Sequence, residues 1–166
     1  MLNIYTATSN DFPVIQKIAN KTWPATFGEI LSPQQISYML EMMYSTAALT
    51  EQVAEKGHRF LLVKDEIMDL GYASYELDYK AQAKTKIHKI YLLPEAQGKG
   101  VGKLLMKTIS EIAKDNQNNV LSLNVNRDNS AFQFYKNIGF EQVGEENIDI
   151  GDGFLMEDYI MEKQLA

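Results

Sequence analysis

The sequence predicts an α/β fold in which a central mixed sheet carries helices on both faces. Segments rich in β-branched and aromatic residues are interspersed with segments whose apolar residues recur at three- and four-residue spacing. The expected order of elements is β-ααα-β-β-β-α-β-α-β-β, and mixed orders of this kind pack helices against a sheet. A strand, a glycine-rich turn and a helix within residues 87–112 stand at the centre of this order.

The first third of the chain predicts one strand and three helices. Residues 2–8 alternate as a half-buried strand, and residues 9–11 offer N-caps for a helix. The apolar stripe of that helix consists of Phe12, Ile15, Ile18 and Ala19. The proline-containing segment 23–28 is expected to break the helix into a loop. A Ser-Pro pair at 32–33 begins a second helix, and a third spans about 45–56.

The remaining elements are mostly strands, which are predicted from runs of aliphatic and aromatic residues between polar turns. We expect strands at 60–63, 72–77, 87–93, 120–125, 140–144 and 155–163, with polar loops at 64–69, 78–86, 115–119 and 145–154. The helix after the glycine turn has an apolar face of Val101, Leu104, Leu105, Thr108, Ile109 and Ile112. A last helix follows the caps at 128–130, and its expected core face consists of Ala131, Phe134 and Ile138.

The turn between the central strand and its helix contains Gly98, Gly100 and Gly102. Glycine takes backbone angles that are closed to other residues and lets a ligand approach the main chain. The first turn of a helix leaves N–H groups without partners and carries partial positive charge, to which Lys99 and Lys103 add. These features predict a phosphate or pyrophosphate site. The alternative is a tight connection that binds nothing.

Two common nucleotide loops fit this spacing poorly. A nucleoside-triphosphate loop requires glycine, four residues, and then Gly-Lys-Ser/Thr, whereas Lys103 follows Gly98 by five residues. A dinucleotide loop requires Gly-x-Gly-x-x-Gly and an acidic residue about twenty residues later. Here the third glycine comes one residue early, and asparagines occupy the later region.

Two motifs carry a resemblance to a known family. Residues 97–102, Q-G-K-G-V-G, follow a strand end that reads Y-L-L-P-E, and they resemble the acyl-CoA pyrophosphate loop of the GNAT family of N-acetyltransferases. Residues 124–140, N-V-N-R-D-N-S-A-F-Q-F-Y-K-N-I-G-F, are similar to that family's second signature, Asn-x-Ala-x-x-Phe-Tyr-x-x-x-Gly-Phe after a strand. The resemblance implies a GNAT-like, mostly antiparallel sheet and acetyl-CoA as co-substrate.

The resemblance also implies roles for individual residues. The residues expected to bind acetyl-CoA are Ile90, Tyr91, Leu92, Gln97, Gly98, Lys99, Gly100, Val101, Gly102, Lys103, Asn129, Phe132 and Tyr135. A backbone N–H at Tyr91 or Leu92 would stabilise the oxyanion, and Tyr135 would protonate the departing thiolate. The competing interpretation makes Tyr135 a packing residue of its helix. The transfer is expected to be direct, without an acyl-enzyme and without a metal.

The reaction also needs a base, because an alkyl amine has a pKa of about 10. His88 is the first candidate: it stands two residues before Ile90 on the central strand, so we expect both side chains on one face. In relatives a polar residue here contacts water that leads to the amine. Glu76 on the neighbouring strand is the alternative, and His88 could instead be a surface histidine. Neither His58 nor His88 has a partner at metal-binding spacing.

The N-terminal region and the tail resemble the PaiA-type bacterial polyamine acetyltransferases. The similar positions are Trp23, Phe27, Ser32, Pro33, Tyr38, Leu40, residues 57–60 and residues 151–161. This implies a small primary amine as acceptor, such as spermidine or spermine, which suits an acidic protein. The alternatives are an acetyltransferase for a protein N-terminus or an aminoglycoside, and a non-catalytic CoA-binding or sensing module.

Length and composition restrict the number of domains, the kinds of partner and the location of the protein. The 166 residues fit one acetyltransferase domain, 1–166, and the formal charge of −6 argues against nucleic-acid binding. The chain lacks cysteine, which excludes disulfides, thiolate metal sites and a cysteine nucleophile. Neither a membrane span of ~18 apolar residues nor a secretory signal is visible, so we expect a cytoplasmic protein. An edge strand near the C-terminus could pair two copies into a homodimer.

Overall fold

The computed structural model describes residues 1–165 and confirms the α/β fold and the order of its elements. The strands are β1 (Asn3–Thr6), β2 (Arg59–Lys64), β3 (Asp69–Glu76), β4 (Lys84–Leu92), β5 (Val120–Asn126), β6 (Glu141–Gly151) and β7 (Phe154–Gln164). The helices are α1 (Phe12–Phe27), α2 (Pro33–Tyr44), α3 (Thr46–Ala54), α4 (Val101–Asp115) and α5 (Ala131–Asn137). The sheet order is β1-β2-β3-β4-β5-β7-β6, and within the described residues every neighbouring pair is antiparallel except β4 and β5.

The sheet separates two hydrophobic clusters. On one face, α1, α2 and α3 bury a cluster that includes Trp23 and Tyr72. On the other face, α4 and α5 bury a cluster that includes Leu105, Ile109 and Tyr135. The helices therefore pack against both faces of the sheet, as the sequence predicted. Among residues 1–165, no helix combines the length and the apolar character that crossing a membrane requires.

Helix α1 continues through Pro24 to Phe27, so the predicted break at residues 23–28 is wrong. A proline inside a helix removes a hydrogen bond and costs about 3 kcal/mol. Trp23 and Phe27 are both buried, with ring centroids 4.7 Å apart. Burying two such side chains contributes about 1.5–3 kcal/mol each, which offsets the cost of the proline.

Strands β6 and β7 form one long hairpin, so the predicted loop at 145–154 is also wrong. Gly151, Asp152 and Gly153 make its tight turn, with φ angles of 93°, 54° and 78°. The sequence lacks the apolar alternation of a half-buried strand here, because β6 is the edge of the sheet and most of its polar side chains are exposed.

Strands β3 and β4 both begin earlier than predicted. β3 starts at Asp69, inside the predicted turn at 64–69. β4 starts at Lys84, and Lys86 is buried instead of lying in an exposed connection at 78–86. Patterning missed this part of β4 because three of its residues are polar, and burial of Lys86 depends on a partner from another strand.

A β-bulge at His88 bends the central strand. The register pairs Ser74 with Lys89 and Tyr75 with Ile87 across the sheet, which leaves His88 as the extra residue. Because the bulge interrupts the alternation, His88 and Ile90 do not share a face, contrary to the prediction. Ile90 packs against the cluster beneath α4, whereas His88 stacks on the ring of His58.

Beyond this bulge β4 separates from its parallel neighbour. The two strands pair only along residues 84–87 of β4 and 120–123 of β5. From there β5 keeps its pairing with β7 to Asn126, whereas β4 continues to Leu92 beside β3. The divergence opens a cleft in the middle of the sheet.

Candidate active site

The cleft brings both sequence motifs together. One wall consists of residues 86–92 of β4 and the two residues that follow it, and the other consists of residues 123–126 of β5. The rest of the lining includes the start of α4, part of α5, residues 22–30 and the β6–β7 hairpin. A ligand in this cleft can therefore contact the glycine turn and the second motif at once.

The turn before α4 is open and shaped by two glycines. Gly98 and Gly100 have φ angles of 76° and 71°, and apart from the adjoining residues no atom lies within 4 Å of the point where a Cβ would stand on either. The first hydrogen bond of α4 runs from Leu104 N–H to the Gly100 carbonyl at 3.0 Å, so the N–H groups of residues 101–103 lack partners inside the helix. Free N–H groups beside open main chain fit a pyrophosphate.

Gly102 is needed for close packing and not for the conformation of the turn. A Cβ there would lie 3.3 Å from Cζ of Phe134 and 3.5 Å from Cδ1 of Leu92, so glycine allows the α5 ring to approach α4. Phe134 is 36% exposed and lines the cleft, which makes the predicted core position wrong. Ala131 and Ile138 pack against the core as predicted. The Phe134 side chain lines the cleft instead.

The hydrogen bonding of β4 indicates which of its N–H groups face the cleft. The Leu93 N–H donates to the Leu70 carbonyl on β3 at 2.8 Å. Successive N–H groups of a strand point to opposite edges, so the Tyr91 N–H also faces β3. The N–H groups of Ile90 and Leu92 then face the cleft. Of the two predicted oxyanion donors, this alternation favours Leu92.

Tyr135 lines the cleft from α5 and is 7% exposed. Its ring lies edge-on to Phe134 and Phe140, with centroids 5.6 Å and 5.8 Å apart. Burial raises the pKa of the Tyr135 hydroxyl well above its ordinary value, so the group keeps its proton at neutral pH. The residue combines the contacts of a packing residue with the position of a proton donor.

Two predicted cofactor residues lie outside the cleft. The Lys99 ammonium donates to Asp65 at 2.9 Å, and this bond is the main cause that lowers the pKa of the Asp65 carboxyl. Phe132 packs against Tyr159, with ring centroids 5.3 Å apart. The predicted cofactor residues that do line the cleft are Ile90, Tyr91, Leu92, Gln97, Gly98, Gly100, Val101, Gly102, Lys103, Asn129 and Tyr135.

The two predicted bases form a pair at the edge of the cleft. His88 lines the cleft, and its Nε2 lies 3.0 Å from Oε1 of Glu76, which sits behind it. Burial, followed by His58 and Lys89, lowers the pKa of His88 to about 2. Burial also raises the pKa of Glu76. The imidazole is therefore neutral, and its basicity is low.

His58, Glu76 and His88 also form the one group among the described residues that could hold a metal ion, with ligand atoms within 4.8 Å of one another. Sequence spacing missed the group because its members come from three adjacent strand regions. The two imidazole rings are stacked, with centroids 3.8 Å apart and planes at 13°. In stacked rings the nitrogen lone pairs point in parallel directions and do not converge on one point. Both rings could therefore bind the same cation only if the stack opened.

A polar group on β4, β5, β6 and β7 was not predicted. Asn124 Nδ2 donates to Glu146 Oε1 at 3.0 Å and to Asp158 Oδ2 at 3.3 Å, and Lys86 Nζ donates to Asn124 Oδ1. All four side chains line the cleft. Sequence reasoning missed Glu146 because residues 145–154 were assigned to a loop, where no side-chain face can be predicted.

Comparison with known proteins identifies the family. The sequence profile described as an acetyltransferase (GNAT) domain matches residues 29–163. The chain belongs to the GNAT family. The resemblance of the two motifs is thereby confirmed, and this GNAT protein is an acetyl-CoA-dependent N-acetyltransferase.

Individual relatives of this GNAT protein cover nearly its whole length. It is 26% identical over 171 residues to an uncharacterized N-acetyltransferase of the pepI 3′ region of Lactobacillus delbrueckii subsp. lactis, covering 99% of this chain and 98% of the relative. It is 29% identical over 157 residues to a spermidine N(1)-acetyltransferase of Thermoplasma acidophilum, covering 93% and 91%. The crystal structure of the PaiA N-acetyltransferase from Thermoplasma acidophilum, in complex with coenzyme A, superposes with a TM-score of 0.81 at 25% identity, covering 99% of each chain.

Proposed function

We propose that this protein is a single acetyltransferase domain that transfers the acetyl group of acetyl-CoA directly to a primary amine of a polyamine such as spermidine or spermine. The observation that carries the proposal is a pair of carboxylates, Glu146 and Asp158, gathered by Asn124 on the wall of the cleft. Such a pair favours a cationic acceptor. The relative described as a spermidine N(1)-acetyltransferase, at 29% identity, supports the same acceptor class.

The residues of the glycine turn would hold acetyl-CoA. The N–H groups at the start of α4 would bind its pyrophosphate, with Lys103 adding positive charge at the rim. The N–H group of Leu92 would donate to the thioester oxygen as negative charge develops there. The Tyr135 hydroxyl would give its proton to the sulfur as the C–S bond breaks. Each of these groups lines the cleft between β4 and β5.

The pair formed by His88 and Glu76 stays a proposal for the base of the reaction. Its support is that His88 lines the cleft and that its ring nitrogen lies 3.0 Å from Glu76. The depressed pKa of His88 counts against direct proton abstraction, because a base works best when its pKa is near the working pH.

An amine panel with detection of thiol release tests the acceptor. We expect spermidine or spermine to have a kcat/KM about 10- to 100-fold above a monoamine of similar length, because a second ammonium bound to a carboxylate contributes about 1.5–3 kcal/mol. A peptide with a free N-terminus and an aminoglycoside are the competing acceptors in the panel. Preference for either of them would contradict the polyamine proposal. Tight CoA binding with no turnover of any amine would indicate a binding or sensing module.

A homodimer and a cytoplasmic location also stay proposals. The exposed edge of the sheet near the C-terminus is β6, which carries a solvent-exposed Val143. Pairing of two β6 strands would form a continuous sheet. Light scattering in solution would then give twice the monomer mass of 18.9 kDa, and a single monomer mass at high concentration would contradict the dimer.

A further inference from the structure

We propose that Asp158 is a catalytic residue: its free carboxylate oxygen binds the ammonium group of the acceptor and takes the first proton from it. This inference rests on the proposed function and names the group that would receive the amine in that site. It is separate from the pair of His88 and Glu76, which was predicted from the sequence.

Asp158 is a buried carboxylate with one oxygen left without a partner. The residue is 5% exposed, lies opposite Asn126 in the β5–β7 register and lines the cleft. Its Oδ2 accepts a hydrogen bond from Asn124 Nδ2 at 3.3 Å. Its Oδ1 is buried and has no hydrogen-bond partner within residues 1–165. Unpaired buried acceptors are costly and uncommon, so for a residue that lines a ligand cleft we infer that the missing partner of Oδ1 is a donor on the ligand.

Asp158 shares the cleft with the proposed reaction centre. Burial is the main cause that raises the pKa of Tyr91, and Tyr44, Tyr135 and Asp158 raise it further. Tyr91 adjoins Leu92, whose N–H faces the cleft. The predicted proton donor Tyr135, the oxyanion donor Leu92 and Asp158 all line this one cleft.

Asp158 lies among two cations and one other anion, and none of them is hydrogen-bonded to its Oδ1. Apart from burial, Glu146 raises the pKa of the Asp158 carboxyl, whereas Lys86 and Arg127 lower it. Burial is the largest cause that raises the pKa of Asp158, and burial lowers the pKa of Lys86 to about 8. Lys86 donates to Asn124 and not to Asp158, so it does not occupy Oδ1.

The proton balance of the reaction gives each group one task. The acceptor arrives as an ammonium ion, and Asp158 Oδ1 takes one proton to leave the nitrogen lone pair free. That lone pair forms the C–N bond to the acetyl carbon, and the electron pair of the C–S bond leaves with the sulfur. The nitrogen then loses a second proton to water, and Tyr135, which has given its proton to the sulfur, takes one back from water. Asp158 finally returns its proton to water.

The replacement Asp158→Asn tests this role because it keeps the shape and removes only the charge. With spermidine we expect kcat/KM to fall about 10²- to 10⁴-fold at neutral pH, with the KM for acetyl-CoA within about twofold of wild type. Activity should recover toward wild type near pH 10, where the amine is itself neutral. The melting temperature should stay the same or rise, because a buried and unpaired charge is removed. The adjacent exposed Glu157→Gln is the matched control and should change none of these values.

Three outcomes would overturn the proposal. Turnover of Asp158→Asn within threefold of wild type, with a large loss in His88→Ala, would assign the base to His88. A lower melting temperature together with lost acetyl-CoA binding would make Asp158 a structural residue. A loss of turnover that pH 10 does not recover would exclude the role as base.

A binding measurement separates this proposal from the proposed function. Spermidine is titrated calorimetrically into the protein saturated with CoA, which permits binding without transfer. We expect Asp158→Asn to bind spermidine at least tenfold more weakly than wild type. A wild-type protein that turns over no amine contradicts the proposed function, and this titration still decides whether Asp158 binds an ammonium group. Equal spermidine affinity in both proteins would overturn the site.

Discussion

Replacing Tyr135 with phenylalanine is expected to lower kcat on the order of 10²-fold while leaving acetyl-CoA binding nearly unchanged. The substitution keeps the ring that packs against Phe134 and Phe140 and removes only the hydroxyl. Because burial holds the pKa of this hydroxyl high, the proton is present at neutral pH for transfer to the sulfur. Steady-state kinetics on the best amine, under conditions in which chemistry limits the rate, measure the effect.

Tyr75→Phe is the matched control for Tyr135→Phe. Tyr75 is 4% exposed and belongs to the same hydrophobic cluster, but it does not line the cleft. The Tyr75→Phe substitution should leave kcat unchanged and shift the free energy of unfolding only slightly. If Tyr135→Phe behaves like this control, with kcat within a few-fold of wild type, then Tyr135 is a packing residue. The family and the co-substrate would be unaffected by that result.

Replacing Gly100 with valine is expected to raise the KM for acetyl-CoA about 10- to 100-fold with little change in kcat at saturation. The φ angle of 71° is unfavourable for a β-branched residue, so the turn would shift and its N–H groups would move away from the pyrophosphate. Losing one or two hydrogen bonds to a charged group costs about 1.5–3 kcal/mol each, which corresponds to about tenfold or more. Calorimetric titration with CoA measures the same loss at equilibrium.

Gly153→Val separates the loss of the phosphate contact from backbone strain. Gly153 has a φ angle of 78° and equally open space around its Cβ position, but it lies in the β6–β7 turn. Both variants carry strain of about 1–3 kcal/mol, which a protein of ordinary stability tolerates. Only Gly100→Val should weaken acetyl-CoA binding. Unchanged CoA affinity in Gly100→Val would show that this turn does not bind the phosphates.

The order of elements and the family could be predicted from the sequence because both depend on local signals. Glycine is favoured where the chain adopts positive φ, so Gly98 and Gly100 mark the turn directly in the sequence. The amphipathic spacing of α4 requires only its own residues. The predictions that failed have a different origin. Helix α1 continues through Pro24 because Trp23 and Phe27 are buried by other elements, which no local pattern records.

The sequence by itself determined the strand, glycine turn and helix, the second motif with Tyr135, and through them the co-substrate of the reaction. Only the tertiary structure decided which charged groups meet in the cleft. The bulge at His88 moves that ring beside Glu76, and the antiparallel pairing of β5 with β7 brings Asp158 to Asn124. These contacts join residues from strands far apart in the chain. Their positions follow from strand order and register, which depend on the packing of the whole sheet.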